Sequence, residues 1–161
     1  MPIHQRHHHT AWVEIDLKAL RQNFRAIKAL TRKREVELRT VQKIPIGNIL
    51  TPHILSVVKA DAYGHGMIEV ARGLVKLGTD FLGVSEFSEG VALRKHGIKK
   101  PILFLETPLV SFVKDIVDND LTATVCSWDV AAALNAYAAS ARKKAKVHVK
   151  VDTGMGRLGV S

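Results

Sequence analysis

The sequence predicts an α/β fold built on a parallel sheet, and three observations carry that expectation. Short apolar runs recur along the chain: Ile54–Val58, Phe81–Val84, Ile102–Leu105, Thr122–Val125 and Val147–Val151. They begin 27, 21, 20 and 25 residues apart, room for a strand and the helical crossover that a parallel neighbour requires. The runs are nearly continuous rather than alternating, as in strands covered on both faces. Two architectures fit this beat, a doubly wound sheet and a β/α barrel. Both place active residues at the C-terminal ends of strands.

The elements follow in order. Trp12–Asp16 alternates and reads as a short strand, followed by a helix with Leu17, Leu20, Phe24 and Ile27 on one face. Residues 31–53 mix charges with Pro45, Gly47 and Pro52 and read as an exposed insertion or linker. After the first apolar run, Met67, Val70, Ala71, Leu74 and Leu77 recur at helical spacing, and Gly78 provides the stop. Residues 88–96 end at Gly97 in the same way, and Pro101 opens the next strand. Thr107-Pro108 predicts an N-cap with proline at the first helical position. Ser127 predicts another N-cap, with Asp129 in the first turn where the helix dipole favours an acid. Val130, Ala133, Leu134, Tyr137, Ala138 and Ala141 then form one apolar stripe.

Composition narrows the class. The chain has 161 residues, 47% hydrophobic and 24% charged, with mean hydropathy +0.05. Disordered, collagenous and low-complexity classes are excluded. No apolar run approaches the roughly 20 residues of a membrane span. No secretory signal is visible at the N-terminus, and the single cysteine, Cys126, suits a reducing compartment. The cytoplasm is the expected location. The net charge of +9 is uneven: residues 1–50 carry 10 basic and 4 acidic side chains. Basic runs at Arg32–Arg34 and Arg142–Lys146 read either as anion-binding patches or as solvated helix ends. No aromatic residues interleave them, which favours the solvated reading and no nucleic-acid partner. His7-His8-His9 has no carboxylate or cysteine nearby to complete a metal site, so no metal is expected.

Two motifs carry chemistry. In Val57-Val58-Lys59-Ala60-Asp61-Ala62-Tyr63-Gly64-His65-Gly66, a lysine ends an apolar strand. A buried amine is costly without a task or a partner, and burial lowers its pKa, as a Schiff-base amine or a general base requires. The alternatives are a lysine snorkelling at the strand end or an ion pair with Asp61. The glycines permit close approach of a ligand, Met67 opens a helix whose N-terminus suits a phosphate, and Tyr63 has a hydroxyl to offer it. In the second motif, Val147 to Gly159, Lys150 and Asp152 flank a strand end and Arg157 follows in a glycine-rich loop. Arginine presents a planar fork to a carboxylate. Gly154, Gly156 and Gly159 also spell G-x-G-x-x-G, a weak dinucleotide signal because it follows the fifth strand of the beat rather than the first.

Together, VVKADAYGHG and VKVDTGMGRLG closely resemble alanine racemase, a pyridoxal-phosphate family, and WVEIDLKALRQNF resembles that family's opening strand and helix. The resemblance covers the chain apart from residues 1–10, read as a tail, and 31–53. It implies an α/β fold that is part of a (β/α)8 TIM-type barrel, with about five of eight strands present in residues 11–161. It implies that Lys59 forms the internal aldimine with pyridoxal phosphate and serves as the base for the D-alanine face. Tyr63 matches the tyrosine contacting the cofactor phosphate, Arg157 an arginine near the substrate carboxylate, and Lys150 a lysine carbamylated in some members. The resemblance further implies a homodimer, with a second base and a C-terminal β-domain in the part of the family's sequence that these residues do not match. An N-terminal fragment, inactive by itself, is therefore expected. Another amino-acid racemase, a pyridoxal-phosphate carrier of the same barrel family and a non-catalytic basic binding module stand as alternatives.

Overall fold

A computed structural model of the chain describes residues 11–41 and 52–161. The predicted tail at 1–10 with its histidine run, and residues 42–51, lie outside the described residues. Helix α1, Leu17–Val41, precedes the strands. Strand β1, Leu55–Val57, leads into α2, Lys59–Gly64, a single turn, and then α3, Met67–Leu77. Strand β2, Phe81–Val84, and helix α4, Phe87–Lys95, follow. Strand β3, Ile102–Phe104, passes through a 3-10 turn at Val110–Phe112 into α5, Val113–Asp118. Strand β4, Thr122–Val125, helix α6, Trp128–Ser140, and strand β5, Lys146–Val149, complete the sequence of elements.

All five strands are parallel, in the spatial order β1-β2-β3-β4-β5. That order decides between the two architectures, because a doubly wound sheet reverses direction at a switch point and this one never does. The sheet also curls. Phe81 on β2 and His148 on β5 bring their ring centroids within 6.0 Å. In a flat sheet, three strand spacings would hold them roughly 14 Å apart. The curvature is that of a barrel wall, with the inner face concave.

The core lies between the wall and its helices. Leu82, Ile102 and Ala123 from the strands meet Leu74, Leu93, Ile116 and Leu134 from the helices, all buried. Gly90 lets α4 sit close, since a Cβ there would lie 2.8 Å from Leu121 Cδ1. Thr79 is fully buried, and its hydroxyl is spent on the carbonyls of Ile54 and Phe81. Arg94 ties the opposite rim together. Its guanidinium donates to the carbonyls of Ile98, Lys100, Asn119 and Asp120.

Several sequence expectations change. Trp12–Asp16 is irregular chain, not a strand, because no strand among the described residues lies beside it to satisfy its backbone. Asp16 caps α1 instead, accepting from Lys18 N at 2.7 Å. Helix α1 continues through Val41, well into the segment read as an insertion or linker. Of its predicted stripe, Phe24 is buried, whereas Leu17 and Ile27 are exposed. No helix begins at Pro108. Leu109 is extended, α5 starts at Val113, and Thr107 spends its hydroxyl on Cys126 Sγ at the end of β4. Strands β2 to β4 are buried, but β5 is exposed along its length and Val149 retains 68% of its accessible surface. Edge position and an uncovered concave face account for that.

Candidate active site

Lys59, Tyr63, Lys150 and Arg157 all follow C-terminal ends of parallel strands, so one rim of the wall carries them all. They form two groups on opposite edge strands. Among the described residues, no hydrogen bond or ion pair links the groups.

The β1 group rests on an unusual backbone. Ala60, Asp61, Ala62 and Tyr63 all have positive φ, between 50° and 56°, a left-handed turn of four non-glycine residues. Each such residue costs roughly 1–2 kcal/mol, so the surroundings must hold the turn. They do so at several points. Ala62 N donates to Val58 O at 2.9 Å, and Gly66 N to Asp61 O at 3.0 Å. Asp61 Oδ1 accepts from Met67 N at 2.7 Å. Glu89 Oε1 accepts from Ala60 N at 2.6 Å, while Glu89 Oε2 accepts from Ser85 N and Glu86 N. The turn leaves Lys59 half-buried, not buried, and Tyr63 60% exposed.

Two sequence readings change here. Asp61 is committed to the start of α3 and has no ion pair with Lys59 among the described residues. The same contact fills the Met67 N–H and places a carboxylate at the helix N-terminus, where it competes with a phosphate for that end of α3. A cavity of about 580 Å³ lies beside this group, between α1 and β1 with Ala62 and His65 at its edge. It contains none of the four predicted residues, because they face the open rim.

The β5 group is a closed loop. Lys150 N donates to Val125 O, Val160 N to Lys150 O, and Asp152 N to Val160 O. Asp152 Oδ1 accepts from Gly154 N and Gly156 N at 2.9 and 3.1 Å. These donors hold the Asp152 carboxyl below the usual carboxylate range. Gly159 has φ 137°, and a Cβ there would lie 2.4 Å from Asp152 N. The three glycines thus serve the turn around Asp152. Arg157 is exposed at the loop's far side and Lys150 is half-buried.

The basic run Arg142–Lys146 is partly consumed by ion pairs. Lys143 bonds Asp118 at 2.8 Å and Lys146 bonds Asp120 at 2.7 Å. Among the described residues no cluster of three or more metal-ligating side chains occurs, and no helix is long and apolar enough to cross a membrane.

An amine at a strand end, a phenol four residues on and an arginine in the loop after β5 thus follow strand ends on the same rim. The family model described as "Alanine racemase, N-terminal domain" matches residues 45–161. The chain belongs to the alanine racemase family. The alanine racemase of Desulfosudis oleivorans is 41% identical over 152 residues, 94% of this chain and 35% of that protein. That of Syntrophobacter fumaroxidans is 43% identical over 150 residues, 93% and 36% respectively. The solved alanine racemase of Streptomyces lavendulae superposes with a TM-score of 0.73 at 28% identity, covering 91% of this chain and 34% of that one. The Clostridium difficile 630 alanine racemase gives 0.66 at 45% identity over 68% of this chain and 29% of that one. The chain therefore spans about a third of the length of these alanine racemases. The barrel wall and α/β class agree with the sequence reading.

Glu89 escaped the sequence reading. Its place three residues after Glu86 marks a helix start, but nothing in the spacing shows that its second oxygen reaches Ala60, 29 residues earlier.

Proposed function

We propose that these residues form the pyridoxal-phosphate-binding part of an enzyme that interconverts L- and D-alanine. The observation that carries this is Lys59 at the C-terminal end of β1, on a left-handed turn that also sets Tyr63 at the rim. The donor set suits the cofactor: an amine for its aldehyde and a phenol for its phosphate. Pyridoxal phosphate, when bound, supplies the electron sink that makes an alanine Cα proton removable. Lys59 Nζ would hold the cofactor and, once the substrate's amine has displaced it, would exchange the Cα proton on one face of the substrate. Tyr63 donates its hydroxyl to the cofactor phosphate. Arg157 orients the substrate carboxylate, and Lys150, carbamylated or not, steadies Arg157. Racemisation needs a second acid/base on the opposite face, and no residue described here takes that part. We assign it, with homodimer formation, to the complete protein acting in the cytoplasm on the route to peptidoglycan.

A second reading has its own support. The histidine racemase of Leuconostoc mesenteroides shares this fold with a TM-score of 0.63 at 27% identity. That protein is named for histidine, a larger amino acid, so substrate choice is an experimental question. The gene product carrying this chain, supplied with pyridoxal phosphate, should racemise alanine faster than histidine or serine. Lys59→Ala should abolish the activity. Faster turnover of histidine would replace the alanine reading, and activity retained in Lys59→Ala would remove the site.

A further inference from the structure

We propose that Glu89 is a positioning residue for Lys59, bracing the backbone that presents its amine to the cofactor. This rests on the reading that Lys59 holds pyridoxal phosphate.

Ala60 N–H is the amide directly after Lys59 and the first of the left-handed run. In a right-handed helix it would find a carbonyl four residues back. Here it donates to a carboxylate from the next βα unit at 2.6 Å. The other Glu89 oxygen accepts from Ser85 N and Glu86 N at 3.1 Å each. One half-buried carboxylate therefore holds three amides and joins the end of β1 to the end of β2. A helix cap explains only the second oxygen. The capping box of α4 is complete with Glu86 accepting from the Glu89 backbone and Glu89 accepting from that of Glu86. The contact to Ala60 is additional, and it opposes the relaxation of a strained turn. Released, Ala60–Tyr63 would return toward ordinary backbone angles, and Lys59 and Tyr63 would shift together. A carboxylate is an acceptor at both oxygens, whereas glutamine would aim an NH2 at one of the N–H groups.

Three variants separate brace from cap. Glu89→Gln disturbs both. Glu89→Asp keeps the charge and the cap but withdraws from Ala60. Glu86→Ala removes the reciprocal half of the cap and leaves Ala60 held. Two readouts apply to the gene product carrying this chain: amide hydrogen exchange at Ala60 without cofactor, and affinity for pyridoxal phosphate from the visible absorbance of the lysine-bound form. In Glu89→Gln and Glu89→Asp, exchange at Ala60 should rise and affinity fall, each about tenfold, equivalent to about 1.4 kcal/mol. Glu86→Ala should stay within about twofold on both, as surface changes do. Equal losses in Glu86→Ala and Glu89→Asp would reduce Glu89 to a cap and overturn the proposal. So would an Ala60 amide that exchanges freely in the unaltered protein. Should Glu89→Gln fail to fold, the Asp variant alone decides. A protected Ala60 with no cofactor on Lys59 would instead contradict the proposed function, and the positioning role would fall with it.

Discussion

Asp152 organises its loop with one oxygen, and that makes the loop sensitive to acid. The N–H groups of Gly154 and Gly156 stabilise its ionised form and depress its folded pKa. A group with a depressed folded pKa contributes stability above its unfolded value of about 3.9, and loses it as pH falls through the lower folded value. The loop from Lys150 to Val160 should therefore be ordered at neutral pH and loosen below about pH 4. Amide exchange at Gly154 and Gly156 measures this. Asp152→Asn should show the loosened state at neutral pH with little further acid response; an unchanged acid response would mean another group controls the loop. Arg94 is the second telling residue. Burial pulls its guanidinium pKa down and Asp120 pulls it up, and its value lies in four carbonyls held at once. Arg94→Ala should cost about 1–3 kcal/mol in denaturant unfolding, since part-buried carbonyls lose their donor. Arg94→Lys should recover little of it, lacking the planar fork.

At the scale of elements, the turn after β1 inverts an ordinary rule. Alanine to glycine in a right-handed helix costs about 1 kcal/mol. Ala60 has φ 50°, where glycine is relieved and alanine is strained. Ala60→Gly should therefore leave unfolding stability unchanged or raise it by up to about 1 kcal/mol. A loss of that size would mean the turn is right-handed in solution. Nothing in Lys59-Ala60-Asp61-Ala62-Tyr63 announced this turn, because only non-glycine residues form it and contacts from α3 and Glu89 impose it. Elements that depend on local pattern were legible. Phe81–Val84 and Thr122–Val125 form strands at their predicted bounds, and Met67–Leu77 ends at a left-handed Gly78. Where a partner decides, the sequence misled: Trp12–Asp16 has strand periodicity but no described neighbour, and Thr107-Pro108 has capping chemistry diverted to Cys126.

At the scale of the molecule, strand order and curvature are the facts the apolar beat left open and the family resemblance anticipated as a barrel. The beat allowed two architectures; the consecutive order and the Phe81–His148 contact across the wall admit one. The four candidate residues were proposed from two motifs that resemble the family, and the parallel strands place the residues after β1 and β5 on one rim. What holds them was not legible, since Asp61, Asp152 and Glu89 act through backbone amides that no spacing reveals. Charge was readable as a total and as basic runs but not as pairs, and ion pairs at Asp118 and Asp120 absorb part of the second run. The central claim is that Lys59 is where this wall takes its cofactor. Borohydride reduction of the gene product after incubation with pyridoxal phosphate, followed by peptide mass mapping, tests it most directly. The account predicts a single pyridoxyl label on the peptide containing Lys59, lost in Lys59→Ala. A label spread over surface lysines, or fixed on Lys150 instead, would contradict it.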